Sequence, residues 1–162
     1  MGMEFFQFEP KVNFRYLLKM NELAEYTCKA VTLPSIDNGD IIVDCINAKM
    51  RLKGVSIWND ITIQLYDPVT PASSNAVDKW IKQHHDSKDR IDLFAYDSYK
   101  KPITIEVCDP EGTAVEIWDI SGAYIGEARY GDMDWSDESA KLVELTIRYD
   151  YAEVTFAPGK SS

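Results

Sequence analysis

Hydrophobic and polar residues alternate along most of this chain. Near the start, Val12, Phe14, Tyr16, Leu18 and Met20 share one face of an expected strand, while Asn13, Arg15 and Lys19 fill the other. "ITIQLYD" repeats the device, with Ile61, Ile63 and Leu65 inward and Thr62, Gln64 and Tyr66 outward. In "ITIEVCD", Ile103, Ile105 and Val107 oppose Thr104, Glu106 and Cys108. Later, Val143, Leu145, Ile147, Tyr149 and Tyr151 alternate with Glu144, Thr146, Arg148 and Asp150. A period of two with one apolar face predicts half-buried antiparallel strands. In "SSNAVDKWIKQHHDS" the period changes: Val77, Trp80, Ile81 and His84 recur at spacings of three and four, one face of a short helix over 74–86. Asn75 and Asp78 resemble an N-capping pair, and "DPVTPASS" ahead of them is loop chemistry. One mid-chain helix among strands excludes a repeated strand–helix alternation. The expected fold is mainly β: two packed antiparallel sheets, as a sandwich or partly open barrel, with one flanking helix.

The stretch from Tyr26 to Gly54 fits neither pattern. Thr27 to Leu33 reads as a strand that Pro34 terminates, and "SIDNGD" reads as turn chemistry leading the chain away from the sheet. The segment beyond that turn is too apolar for a solvated loop and too short for a domain. Within it Lys49, Arg51 and Lys53 alternate with Ala48, Met50 and Leu52, an extended arm with a basic face. Two readings fit that face. Edge lysines discourage unwanted strand pairing, or the cations meet an acidic face on another copy and fix its register.

Composition narrows the class more than the function. With 162 residues, 45% of them apolar and 27% charged, the chain is expected to fold as one domain over 1–162 with a substantial core. "APGKSS" reads as a frayed tail over 157–162. No run approaches the roughly 20 apolar residues that span a bilayer. "MGMEFFQFEPK" lacks the features of a signal peptide or a myristoylation site, so a cytoplasmic setting is expected. The formal charge of −10 sets the surface against phosphate and anionic membrane. Cys28, Cys45 and Cys108 are expected to be reduced thiols, with a disulfide between subunits as the other possibility.

Candidate chemistry is sparse. His84-His85-Asp86 suggests a metal, but adjacent helical residues point about 100° apart, and capping of the helix C-terminus accounts for them better. No Gly-x-Ser-x-Gly elbow surrounds a serine, and "DPEGT" and "DISGAYIG" read as turns, not phosphate-binding loops. Paired carboxylates arise by chance in so acidic a chain. No catalytic, cofactor-binding or metal-ligating residue is therefore assigned, and a non-enzyme is expected. Trp58, Trp118 and Trp135 leave open a monomeric ligand-binding β-sandwich with aromatics at its mouth.

The order of features carries a resemblance. A strand ending "YTCKAVTLP" precedes the arm; then come "WNDITIQLYD", a helix containing "VDKWI", and a late strand closing in "LTIRYDY" with Asp150-Tyr151. Over residues 12–156 this ordered set resembles the tail tube protein of contractile-tailed bacteriophages. Two further cysteines and the insertion-like "WDISGAYIGEARYGDMDWSDE" depart from that family's pattern. The resemblance implies six copies per ring, and rings stacked into a hollow tube in a virion tail. Sheath, baseplate and tape-measure proteins would be its partners, and DNA would pass through the lumen without specific binding. Type VI secretion tubes and baseplate tube subunits share the architecture and stand as the alternative. On this reading the arm, 35–55, contacts neighbouring subunits and the adjoining ring through Ile36, Ile41, Ile42, Val43, Cys45, Met50 and Leu52. The stripe of Lys49, Arg51 and Lys53 sets register.

Overall fold

The computed structural model describes residues 11–20, 27–86, 91–92 and 99–157. In chain order the elements are β1 Tyr16–Lys19, β2 Cys28–Val31, β3 Ile36–Cys45, β4 Ala48–Trp58, β5 Ile61–Tyr66, α1 Ala72–His84, β6 His85–Asp86, β7 Ile91–Asp92, β8 Lys101–Cys108, β9 Ala114–Arg129, β10 Leu142–Arg148 and β11 Tyr151–Phe156. The expected architecture is present: mainly β, with two antiparallel sheets, and among the described residues one named helix and no closed barrel. Of the expected tail over 157–162, residues 158–162 lie outside the described residues.

One strand belongs to both sheets. The first half of β9 lies between β8 and β11, pairing Ile117 with both Glu106 and Thr155, and β1 extends that sheet beyond β8. The second half of β9 pairs with β10, and β5 and β2 lie outward from it. The changeover falls at Gly122, whose φ of 69° is a left-handed conformation that suits glycine. A Cβ there would also lie 2.1 Å from the Asp150 carboxylate, which Lys100 Nζ holds at 2.8 Å.

Alternation places the core where the sequence predicts it. Ile61, Ile63 and Leu65 on β5 face Val143, Leu145 and Ile147 of β10 in register, all fully buried. Ile103 and Ile105 on β8, and Ile120 on β9, fill the core from the other sheet. Three departures mark where the period slips. Phe14 lies in a turn before β1, closed by the Arg15 N–H donating to the Val12 carbonyl, and is exposed. A register shift between Val107 and Cys108 buries Cys108 and leaves Val107 only half-buried. A turn at Tyr149–Asp150 separates β10 from β11, so Tyr151 is exposed and Ala152 is buried.

Helix α1 starts and ends two residues earlier than the pattern predicts, and Asn75 and Asp78 do not cap it. Asn75 lies within the helix, and Asp78 pairs with Lys82 one turn on at 2.7 Å. Asp67 holds the first turn instead, accepting from the Ser74 N–H at 3.4 Å and the Ser74 hydroxyl at 2.6 Å. Burial raises this carboxyl, but the hydrogen bonds from Ser74 and Lys141 outweigh it and hold it below the usual carboxylate range. Val77 and Trp80 are buried, Ile81 is half-buried, and the Trp80 indole N–H donates to the Tyr99 carbonyl at 2.6 Å. His85 is the C-cap, through its backbone N–H, while the His84 ring packs against Tyr99 and Tyr124.

Candidate assembly surface

The arm is a β-hairpin. Strands β3 and β4 pair from Ile36↔Trp58 at the root to Cys45↔Ala48 at the tip, with the turn at Ile46–Asn47. "SIDNGD" is therefore not a turn: most of it lies in β3, and its Asn-Gly pair marks a bulge. The register shifts there because Gly39 opposes both Gly54 and Val55. The two backbones approach closely, and a Cβ on Gly54 would lie 2.8 Å from the Gly39 carbonyl carbon and oxygen. The root is clamped to the body. Asn59 donates from its backbone N–H to the Ser35 carbonyl at 2.9 Å and from its side chain to Ser35 Oγ at 3.0 Å. Trp58 packs on the core and against Tyr149, ring centroids 5.9 Å apart.

Beyond the bulge the pairing sorts the side chains onto two faces. Ile41 with Leu52, Val43 with Met50 and Cys45 with Ala48 make an apolar face. Asp40 with Lys53, Ile42 with Arg51 and Asp44 with Lys49 make a charged one. The expected apolar set is thus divided: Ile42 joins the charged face, and Ile36 lies at the root opposite Trp58. Arg51 reaches Asp40 at 3.0 Å and Lys49 reaches Asp44 at 3.9 Å. The basic stripe is partly balanced within its own hairpin, by exposed pairs worth about 0–1 kcal/mol each.

Every hairpin residue except Gly54 and Trp58 is exposed, including all of the apolar face. Ile41, Val43, Met50 and Leu52 leave 40–54% of their surface open, and Ile46 at the turn is wholly exposed. The apolar face is contiguous along the projecting hairpin, the kind of surface proteins commonly keep for an interaction. Cys45 at its tip is exposed, Cys28 is half-buried and Cys108 is buried; all three are free thiols.

The tryptophans occupy three separate settings. Trp58 braces the hairpin root, Trp118 donates to Glu116 at 2.5 Å, and Trp135 stands wholly exposed on the loop between β9 and β10. Of the insertion-like stretch 118–138, residues 118–129 are β9 itself, and 130–138 belong to that loop. Hydrogen bonding from Lys11, opposed by burial and assisted by Trp118, holds Glu116 below the usual carboxylate range. Among the described residues no three His, Cys, Asp or Glu side chains group as metal donors, and no helix is long and apolar enough to cross a membrane.

Two sheets sharing a long strand, a flanking helix and a projecting hairpin make a fold similar to that of chains in solved contractile injection particles. The chain aligns with the tube-terminating cap of the anti-feeding prophage at TM-score 0.75 and 17% identity, over 97% of this chain and 100% of the cap. With the sheath/tube terminator of the extracellular contractile injection system PVC it reaches TM-score 0.75 and 18% identity, over 92% and 99% of the two chains. A chain of the PVC sheath–tube complex in its extended state gives TM-score 0.72 and 21% identity, over 91% and 93%. No protein-family model and no curated protein sequence matches. The likeness establishes the fold; at 17–21% identity most individual residues differ.

Proposed function

We propose that this protein is a structural subunit of a contractile tail tube, assembling as stacked hexameric rings around a hollow lumen through which DNA is delivered. The observation that carries the reading is whole-chain likeness to tube and terminator subunits, with more than nine-tenths of both chains matched in each of the three comparisons. The exposed apolar face of the β3–β4 hairpin supplies the physical need for a neighbour. It would bury against adjacent subunits and the adjoining ring, with the charged face setting register.

The charge balance supports a conduit. Six copies at −10 each carry −60, and an acidic wall lets a polyanion slide without binding. Sheath, baseplate and tape-measure proteins are the expected partners in such a particle. The subunit would be made in the host cytoplasm and used in the virion. The expected function is scaffolding, without catalysis.

A second reading is favoured by one observation: the cap and terminator chains match at TM-score 0.75, against 0.72 for the chain of the sheath–tube complex. On that reading the protein ends a tube instead of repeating along it. Type VI-like and baseplate tube subunits are further variants of the same design. Negative-stain microscopy of the purified protein separates these readings. Long tubes support the repeating subunit, isolated rings support the terminator, and compact monomers at high concentration refute both and favour the monomeric ligand-binding sandwich. Deleting residues 38–52 should leave a soluble monomer unable to form tubes; normal polymerisation would remove the hairpin from the mechanism.

A further inference from the structure

The loop joining β9 to β10 has a feature that the hairpin does not account for. From Tyr130 to Ala140 it carries Asp132, Asp134, Asp137 and Glu138 and no cation. Two side-chain turns order it. Asp134 Oδ1 accepts from the Ser136 N–H and hydroxyl at 2.9 and 2.8 Å, and Asp137 Oδ1 accepts from the same groups of Ser139 at 2.9 and 2.5 Å. On this ordered acidic loop Trp135 is wholly exposed and Met133 is 85% exposed. Exposed Trp on a shaped loop is the chemistry of a binding hot spot, and its acidic flanks call for a basic rim on whatever receives it.

The same chain presents such a surface. A groove of about 510 Å³ runs between β1, β2, β8 and β9. Its apolar lining includes Val31, Leu33 and Val107, and Lys11, Arg15 and Lys29 stand along it. Among the described residues one acid lines it, Glu116, and that acid is already bonded to Lys11. The volume accommodates an indole with room for a methionine beside it.

We propose that Trp135 of one copy docks in the β1–β2 groove of a second copy, with Met133 beside it and the acidic loop against Lys29 and Arg15. Loop and groove are different surfaces of the chain, so the contact is head-to-tail, the kind that closes rings or propagates a polymer. The inference rests on the self-assembly reading and adds a second contact to it, independent of the hairpin.

Two experiments test it. In the native background, Trp135→Ala should raise the concentration at half-assembly roughly 30-fold by sedimentation, as loss of a central aromatic anchor does. An unchanged threshold overturns the proposal. For the second test, Cys28, Cys45 and Cys108 are replaced by alanine, and monomers that keep Trp135 and carry Met133→Cys or Leu33→Cys are assembled separately and as a mixture with a short bismaleimide. The mixture should give cross-linked species and neither population alone should. Cross-linking within a single population, or none in the mixture although wild type forms rings, overturns the proposal. Wild type that forms no rings at all overturns the self-assembly reading as well.

Discussion

Truncating the facing pair Val43 and Met50 to serine separates assembly from folding. Both side chains are roughly half-exposed, at 40% and 51%, and both lie on the hairpin, outside the core cluster. Fully burying an aliphatic side chain of this size is worth about 1.5–3 kcal/mol, so burying the exposed half against a neighbour contributes about 1 kcal/mol each. Losing both weakens each subunit contact by about 2 kcal/mol, roughly 30-fold in an equilibrium constant. The monomer should lose less than about 1 kcal/mol, because only the cross-strand contact within the hairpin is given up. Analytical ultracentrifugation across a concentration series reads the first quantity and a thermal melt at low concentration reads the second. The expected result is a displaced assembly threshold with a nearly unchanged melt. An unchanged threshold would mean that the apolar face meets solvent in the assembled particle and takes no part in holding it together. A comparable loss in both measurements would mean that the pair stabilises the monomer.

Other positions test the framework in different ways. Leu145→Ala, at a fully buried site between β5 and β9, should cost about 2–5 kcal/mol in chemical denaturation, with assembly lost only as folding is lost. Gly122→Ala forces a side chain into φ 69° and into the Asp150 carboxylate, and should lower the melting temperature by several degrees, from about 1–3 kcal/mol of strain. An unchanged melt would show that β9 does not need this bend. Gly54→Val places its side chain against the Gly39 backbone; it should abolish assembly while leaving the near-ultraviolet circular dichroism of the body intact. Asp67 is held below its ordinary pKa, so its stabilising contribution is present above about pH 4, the unfolded value, and is lost as pH falls through the lower folded value. Asp67→Asn should therefore destabilise the protein at pH 7 by about 2 kcal/mol and flatten this part of the acid dependence; an equal loss at pH 7 and pH 2 would refute the assignment.

Much of the framework was legible because a strand's two faces are written at period two. Ile61, Ile63, Leu65, Val143, Leu145 and Ile147 needed no partner to be recognised as core, and Val77 with Trp80 needed only helical spacing. The arm was legible as an anomaly, an apolar stretch with no core of its own. The misses came where local pattern and local chemistry diverge. Asn38-Gly39 has the composition of a turn, yet forms a bulge, because the β4 backbone comes close enough that only glycine fits opposite it. Asn75 and Asp78 have capping chemistry, yet Asp67 from the preceding loop reaches the first turn before them. Trp135 reads from sequence as an aromatic at the mouth of a sandwich; only the loop's geometry leaves it wholly exposed.

By itself, then, the sequence determined which residues face inward along most strands, that a helix interrupts the strands, and that the chain between Pro34 and Val55 lacks an interior. Those properties depend on neighbours two to four residues apart, within reach of a periodicity. Tertiary structure decided that β9 serves both sheets by bending at Gly122, and that Cys108 and Ala152 take inward places. It also decided that the arm folds back into a hairpin with Ile41, Val43, Met50 and Leu52 on one face and partly balanced charges on the other. Each of these is set by register between strands distant along the chain. A shift of one residue there exchanges the two faces while leaving the local pattern unaltered.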